Sequence, residues 1–431
     1  MRVQAFFSRR WRWPVGAVVL LGFVAWVIHA TWTPAQTKRA QVKTSGWPSL
    51  WAHAVSASSS DPAVNVAAAS GVPLAPGEVE VCGGFRIKPR EDGSVDDSDA
   101  STNARFLDAR RRVLNAVQAD GSELARVVAL WLAPQFLGEN SPTDEDRSAT
   151  RDEIARLAAH TSDSAVYALA FQLCGAGLRG DAGACQLLNA ARWAQLDPDN
   201  ASPWFFAYGE ATARADRSAQ AEAMHRIAMA KKSELGAFRM SNRIASLAPD
   251  DDAAQMAAML IAVDVVGTEA AFPYPNYWLL TGACKSDGLV DANLRQSCEA
   301  VATVLTDHSD NLLERVIGAR MGVNLGRTTD RLDQIRGEQQ AYGEVAGSLL
   351  ITGRDEKPLS CAVVHRAVNF LRARTDGKEL AAVSAWVAAS GKTPDDFMKL
   401  GRAQRERMET LSKPASGAAP AIASSASAAA R

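Results

Sequence analysis

The residues best suited to chemistry in this sequence are a histidine and its polar neighbours in the segment TDHSDN. His308 stands between Asp307 and Asp310, and Ser309 adds a hydroxyl group. A histidine beside carboxylates is the pattern of a general acid–base site, because its pKa lies near neutral pH. Neighbours in one loop rarely point at one another, however, and Ser309 and Asp310 precede a predicted helix that they can cap. We interpret the segment as a capping loop and assign no catalytic residue.

Two acidic runs, residues 144–146 and 250–252, offer the oxygen ligands that calcium and magnesium prefer. Each run stands at the predicted start of a helix, where carboxylates satisfy free amide groups and interact favourably with the helix dipole. Residues 91–100 (EDGSVDDSDA) are also acidic, but their spacing does not match an EF-hand loop. The sequence predicts an acidic loop there, and it predicts no metal site and no cofactor.

Familiar catalytic and nucleotide-binding motifs do not occur in the sequence. It has no G-x-S-x-G, no H-E-x-x-H, no Walker-type loop and no G-x-G-x-x-G after a strand pattern. Trp193, Trp204, Trp278 and Trp386 fall on predicted helices and could stack on a ligand. We interpret them as residues that pack helical hairpins together.

The composition favours a helical protein without affinity for nucleic acid. The chain of 431 residues has 47 Lys and Arg against 48 Asp and Glu, so no basic excess exists to attract phosphate groups. Alanine is abundant and alternating β-branched patterns are scarce, which favours an all-α fold.

The N-terminal part of the sequence predicts a membrane anchor. An uncharged run extends from Pro14 to Trp32, long enough to span a bilayer as a helix. Residues 1–13 carry four arginines and no acidic residue, against three basic residues in 33–43, which places the N-terminus in the cytoplasm. A cleaved signal peptide is the alternative, although residues 28–30 and 33–35 are poor cleavage sites. We expect a single-pass protein of the bacterial inner membrane, with residues after about 33 in the periplasm.

Six cysteines fit an oxidising compartment, since their even number and two close pairs are typical of disulfides. The absence of C-x-x-C argues against a thioredoxin-type redox site and a zinc knuckle. Six buried free thiols in a cytosolic protein remain the alternative.

The remaining chain divides into a linker, a helical domain and a tail. Residues 33–100 predict a linker that contains one strand-like segment near 78–88. That segment is either a hairpin around Gly83 and Gly84 or an extended stretch laid over the helices and pinned by Cys82. Residues 101–411 predict the helical domain, and residues 412–431 a disordered tail.

Helical periodicity and capping signals locate the helices. The first has an apolar face from Phe106 to Val117, and the second begins after Ser122 and stops before Pro134. Thr143 with Asp146 predicts a capping box for a third helix, which ends at His160. Two hairpins follow within residues 163–230, and further helices are predicted at 234–248, 252–266, 276–283, 290–306, 311–325, 331–351, 359–374, 378–389 and 393–411.

The second hairpin resembles a tetratricopeptide repeat. Phe205-x-x-Tyr208-Gly209, followed by Ala221-x-x-x-His225, has the spacing of that family. The resemblance implies an array of antiparallel hairpins, an α-solenoid. It also implies that Gly209 and Ala221 let two helices approach closely, while Phe205, Tyr208 and Met224 fill the space between hairpins.

The register of this resemblance implies disulfide pairs. Cys174 falls at the close-approach position of its own hairpin, and Cys185 lies near the start of the facing helix, within bonding distance. Cys284 and Cys298 are placed in a similar way and are expected to form a second disulfide of this kind. Elimination leaves Cys82 with Cys361, although six cysteines allow fifteen connectivities.

Two functions stay open at this point. The first is a membrane-anchored periplasmic scaffold that binds a protein or peptide partner, since helical arrays present extended surfaces. The second is an envelope hydrolase whose site is assembled from residues distant in sequence. A deep pocket that gathers His308 or His365 with carboxylates would favour the hydrolase.

The disulfide assignment leads to a first test. Non-reducing peptide mapping of protein taken from the cell envelope should give cross-linked peptides for Cys174–Cys185 and Cys284–Cys298, because an oxidising compartment preserves them. Free alkylation of these thiols in native membranes would contradict both the pairing and the compartment.

Overall fold

The computed structural model describes residues 74–89, 95–96, 100–136, 142–175, 183–285, 291–339, 359–374, 378–389, 391–393, 395–396 and 399. The predicted transmembrane segment, most of the linker and the tail lie outside these ranges. Membrane anchoring and localisation therefore stay predictions.

The described part of the chain contains fifteen α-helices and a small antiparallel sheet. The strands are β1 (Val79–Val81), β2 (Phe85–Pro89) and β3 (Val95–Asp96). The helices are α1 (Ala100–Ala119), α2 (Glu123–Phe136), α3 (Asp144–His160), α4 (Ser164–Gly175), α5 (Ala190–Leu196), α6 (Ser202–Ala213), α7 (Arg217–Met229), α8 (Arg239–Leu247), α9 (Asp252–Ala270), α10 (Tyr277–Ala283), α11 (Ala292–Asp307), α12 (Leu312–Asn324), α13 (330–339), α14 (Cys361–Ala373) and α15 (Glu379–Ala389).

The strand-like segment forms a hairpin and also lies against the helices. β1 and β2 pair antiparallel across a short 3-10 turn in which Gly83 and Gly84 have φ of 80° and 66°. A Cβ atom on Gly83 would lie 2.6 Å from Ala253 Cα, so only glycine lets the turn approach the start of α9 this closely. Cys82 N donates to Leu359 O over 2.9 Å. Both alternatives for this segment are therefore realised together.

The prediction of an acidic loop at residues 91–100 is wrong at Val95 and Asp96. These two residues pair with Pro89 and Lys88 and form β3. A two-residue strand has no alternation to detect, and it forms because the outer edge of β2 offers unpaired backbone groups.

The capping signals in the sequence predicted some helix boundaries correctly and others incorrectly. The Thr143–Asp146 capping box is present, and α3 ends at His160 as predicted. α2 continues through Pro134 to Phe136, because a proline in the last turn disturbs a single carbonyl. α8 begins at Arg239 rather than 234, since Gly236 and Phe238 have positive φ and turn the chain first.

Buried side chains form two main hydrophobic cores. The first core joins the hairpin and α1–α5 to α8, α9 and α14. The second core joins α6, α7 and α10–α12. The apolar helix α9 is long enough to span a bilayer, but 61% of its apolar window is buried and it packs against α1, α8 and α14. It has the surroundings of a core helix.

The helix packing is compatible with a helical repeat fold, with one addition. Successive helices pack in pairs, among them α1 with α2, α6 with α7, α8 with α9, and α11 with α12. α9 also packs against α1, and α14 against α8 and α9, whereas repeats in a linear solenoid contact only their neighbours. The chain therefore folds back on its own beginning.

Three disulfides join the pairs that the sequence suggested. Cys82–Cys361, Cys174–Cys185 and Cys284–Cys298 span sequence separations of 279, 11 and 14 residues. The expected position of Cys185 is wrong, because it lies in a 3-10 turn, Ala184–Leu187, and α5 begins only at Ala190. The first disulfide ties the hairpin to α14 and so closes the fold.

The close-approach role given to Gly209 and Ala221 is also wrong. A Cβ atom on Gly209 would meet nothing within 4 Å, and Ala221 is exposed. Phe205, Tyr208 and Met224 are buried as expected. The tightest helical glycine is instead Gly318 of α12, whose added Cβ would lie 2.6 Å from Leu305 Cβ of α11.

This difference between two glycines can be measured. Gly209→Ala should stabilise the protein by about 0.5–1 kcal/mol, because alanine restricts the unfolded chain and nothing obstructs its methyl group. Gly318→Ala should destabilise it by about 1–3 kcal/mol through overpacking against α11.

Chemical denaturation of both variants gives the two free energies. Gly267→Ala in α9 is the matched control, since its added Cβ also meets nothing within 4 Å, and it should behave like Gly209→Ala. Destabilisation by Gly209→Ala would restore the close-approach role that the repeat resemblance implies.

Candidate functional site

The loop around His308 separates its polar side chains. The His308 side chain is exposed, and its carbonyl accepts from Ser233 N over 3.0 Å. Asp307 pairs with Arg331 at 2.9 Å, while Ser309 donates to Glu314 over 2.6 Å. The four residues do not converge on a shared point.

The capping function in this loop falls to another residue. Asn311 Oδ1 accepts from Leu313 N over 3.0 Å and from Glu314 N over 3.1 Å. The assignment of Ser309 and Asp310 as caps is therefore wrong by one or two positions. Ser309 Oγ accepts from Asn311 N over 3.0 Å and donates to Glu314, and Asp310 O accepts from Leu380 N at the start of α15.

The two acidic runs make the contacts of helix starts. Asp146 completes the capping box, and Asp144 pairs with Arg147 at 2.9 Å. Asp251 accepts from Ala254 N over 3.0 Å and pairs with Arg112 at 2.5 Å. These carboxylates are therefore paired with amide and guanidinium groups of the chain itself.

The tryptophans divide into packing residues and one exception. Trp193 is 1% exposed and lies 5.6 Å from the ring centroid of Phe171. Trp204 is half-buried beneath Arg226. Trp278 contradicts the packing interpretation, because 74% of it is exposed. The Trp386 side chain lies outside the described residues.

Three buried carboxylates form a feature that the sequence did not predict. We call Glu269, Glu314, Glu379 and their partner Arg374 the acidic seam. Its residues lie at or next to the ends of α9, α12, α14 and α15; α9 and α14 belong to the first core and α12 to the second. Acidic residues are common in first turns, so the positions of Glu314 and Glu379 gave no sequence signal.

Glu314 gathers three hydroxyl groups from separate segments. It is 0% exposed and accepts from Ser233 Oγ over 2.7 Å, from Ser309 Oγ over 2.6 Å and from the Tyr277 hydroxyl. Burial raises the pKa of Glu314, and the three hydrogen bonds oppose that rise. The site is closed to solvent, so it joins α10 and α12 to two loops instead of receiving a ligand.

Glu379 and Arg374 extend the acidic seam to the end of α14, a helix of the first core. Arg374 Nη2 lies 3.2 Å from Glu379 Oε1, and Leu312 N donates to Glu379 Oε2 over 3.4 Å. The guanidinium carbon of Arg374 stacks 3.7 Å from the ring centroid of Phe238. Burial raises the pKa of Glu379, and the positive charge of Arg374 lowers it.

Glu269 caps a helix other than its own. Its carboxylate accepts from Met240 N and from Ser241 Oγ, both over 2.7 Å, at the start of α8. Phe238, the N-cap residue of α8, has φ of 65° and makes no side-chain cap. Burial is the main cause that raises the pKa of Glu269 to about 7.

The hairpin cleft is an open cavity of about 590 Å³ between the β1–β2 turn and the starts of α9 and α14. Its lining includes Cys82, Arg105, Asp252, Ser360 and Cys361. A second open cleft, of about 460 Å³, is lined by α1, α2 and α3 and has no histidine or cysteine in its lining.

His365 brings an imidazole group towards Asp252 of the hairpin cleft. His365 Nε2 lies 2.9 Å from Asp252 Oδ1, a contact that becomes an ion pair when the histidine is protonated. Within the described residues, no serine or cysteine hydroxyl or thiol donates to this histidine. The contact therefore does not form a Ser–His or Cys–His nucleophile pair.

Comparisons with known proteins found no matching family model, no matching curated protein and no matching solved structure. The function has to be inferred from the geometry of the chain itself.

The raised pKa of Glu269 makes a prediction about pH. The folded protein holds this proton up to about pH 7, whereas the ordinary value is 4.5, so stability falls as pH rises between these values. Since each tenfold change in proton affinity is worth about 1.4 kcal/mol, the loss is about 3 kcal/mol.

Glu269→Gln removes the charge and keeps an acceptor for α8, so its stability relative to the natural protein should rise by about 3 kcal/mol from pH 4 to pH 8. Urea unfolding across that range measures the difference. Glu222→Gln is the control, because it makes the same substitution at an exposed glutamate that pairs with Arg226. A constant difference for Glu269→Gln would mean that this carboxyl group titrates normally.

Proposed function

We propose that this protein is a membrane-anchored periplasmic scaffold, a tetratricopeptide-like helical array that binds a protein or peptide partner. In this proposal Pro14 to Trp32 span the inner membrane, and the described helices form the periplasmic domain. The observation that carries it is the exposure of Trp278 on a rigidly held helix.

Trp278 has the features of a binding residue. A tryptophan exposed to 74% is unusual on a soluble surface, and tryptophan is enriched among residues that dominate protein interfaces. Its neighbour Tyr277 is buried and donates to Glu314. The helix ends at the Cys284–Cys298 disulfide. Because both ends of α10 are fixed, binding through Trp278 would cost little backbone entropy.

Two further exposed apolar residues support a surface at this position. Tyr274 precedes α10, and its side chain forms a hydrogen bond with Asn311. Leu313 lies on α12, two residues after Asn311, and both Tyr274 and Leu313 are partly exposed. We call Tyr274, Trp278 and Leu313 the Trp278 surface. Lys285 Nζ lies 5.4 Å from the centroid of the Trp278 ring, so a charged group borders it. An apolar centre with a polar border is the usual anatomy of a protein interface.

The proposed compartment is supported by the cysteines. All six take part in disulfides and none is free. Stable disulfides are typical of the periplasm and rare in the cytosol.

In-cell photo-crosslinking tests the scaffold proposal. A photoreactive residue at position 278 should capture a discrete partner, whereas the same residue at Met229 on α7 should not, although Met229 is 68% exposed. Once the partner is identified, Trp278→Ala should weaken its binding by about 2 kcal/mol, or roughly thirtyfold.

Met229→Ala is the matched control and should leave the affinity unchanged. Equal capture from positions 278 and 229, or full affinity of Trp278→Ala, would remove the support for this surface. Thermal unfolding of both variants shows whether a loss of binding reflects loss of fold.

A further inference from the structure

We infer that Cys82, Cys361, His365 and Asp252 form a binding site for a thiophilic divalent metal, of the Zn²⁺ class, when the Cys82–Cys361 disulfide is reduced. The site lies at the hairpin cleft. It does not depend on the scaffold proposal, and it concerns the closure of the fold.

Three of the four side chains already converge. The ligand atoms of Cys82, Asp252 and Cys361 lie within 4.8 Å of one another. His365 follows Cys361 by four residues on α14, so both project from the same helix face. The His365 imidazole lies outside that distance from the full group but contacts it at Asp252, since His365 Nε2 is 2.9 Å from Asp252 Oδ1.

Two observations separate this group from a chance cluster. His365 Nε2 is enclosed and makes no hydrogen bond, and a metal ion bound to both groups would replace its contact with Asp252. Across the described ranges, Cys82–Cys361 is also the one disulfide with a third ligand group beside it. The disulfides Cys174–Cys185 and Cys284–Cys298 have none there.

The donor set suits zinc. Two thiolates, one imidazole and one carboxylate supply four ligands, the coordination number of structural Zn²⁺ sites. Zinc–sulfur bonds of about 2.3 Å place two sulfurs about 3.8 Å apart in a tetrahedron, a separation that side-chain rotation can supply once the disulfide opens. The hairpin cleft gives the ion a path from solvent.

The chemistry balances with a dithiol reductant such as a thiol–disulfide oxidoreductase. The reductant transfers two electrons and two protons, the Cys82–Cys361 bond breaks to two thiols, and the reductant becomes a disulfide. Zn²⁺ then displaces both thiol protons to form two zinc–thiolate bonds, while His365 contributes its lone pair and Asp252 its carboxylate.

Backbone contacts keep the ligands in place during this exchange. Arg105 donates to the carbonyls of Gly83 and Gly84, each over 3.1 Å, and Cys82 N donates to Leu359 O. These contacts hold the hairpin to α1 and to the residues before α14 without the covalent bond. Disulfide and metal would be two alternative ways to close the same fold.

Cobalt titration of the purified full chain in detergent tests the site. After reduction with a phosphine and anaerobic removal of the reductant, one Co²⁺ should bind and give a thiolate-to-cobalt charge-transfer band. The oxidised protein should give none. Zn²⁺ should displace the Co²⁺, and calorimetry in buffers of different ionisation enthalpy should report about two protons released per metal near neutral pH.

Variants assign the ligands and control for the other thiols. The double variant Cys82→Ser, Cys361→Ser keeps the other cysteines and should lose the band. His365→Ala and Asp252→Ala keep the disulfide, so their fold can be verified when oxidised, and each should weaken Co²⁺ binding at least about tenfold. His225→Ala, an exposed histidine on α7, should leave binding unchanged.

Three results would overturn the inference. They are an undiminished band in the double cysteine variant, unchanged affinity in His365→Ala, and no Co²⁺ binding by reduced protein that keeps its helical circular dichroism. Loss of that helical signal on reduction without recovery on addition of Zn²⁺ would also count against it.

Discussion

The acidic seam is the constraint on which the arrangement of the two cores depends. An enclosed carboxylate costs several kcal/mol unless hydrogen bonds or an opposite charge compensate it. Each of the three finds its compensation on a different segment: Glu269 at the start of α8, Glu314 at three hydroxyl groups, and Glu379 at Arg374. These helix ends therefore have to meet in one geometry, because any other leaves a buried carboxyl group without a partner.

Hydrophobic contact alone would not provide this orientation. Apolar burial is non-directional, and alanine-rich helices offer few bulky side chains to fix how two cores face each other. Glu379 connects the cores, because it pairs with Arg374 after α14 and accepts from Leu312 N at the start of α12. The Cys82–Cys361 disulfide closes the first core over 279 residues. Buried ion pairs add little net stability. We therefore infer that the acidic seam determines how the helices are arranged and adds little to the stability of the fold.

What the sequence predicted and what it missed follow from the range of each interaction. The Thr143–Asp146 capping box is contained in four residues, so its pattern is visible in the sequence. Gly209 fits the spacing of a repeat, but only three-dimensional packing shows that Gly318 is the glycine held close to a neighbouring helix. The seam was hidden because Glu314 and Glu379 occupy first turns, where a solvated carboxylate is equally favourable. The exposure of Trp278 was also hidden, because the position of a residue on a helix does not show which face of that helix a neighbouring helix covers.

Helix α10 connects the acidic seam to Trp278. The Tyr277 hydroxyl donates to Glu314 in the interior, which fixes the rotation of α10 about its axis. Trp278 is the next residue, about 100° further round the helix, and it is therefore turned outward. If Tyr277 lost its buried acceptor, nothing in this contact would hold α10 in that rotation. A single enclosed carboxylate thus joins segments of the interior and, by doing so, determines which aromatic side chain the protein presents to its surroundings.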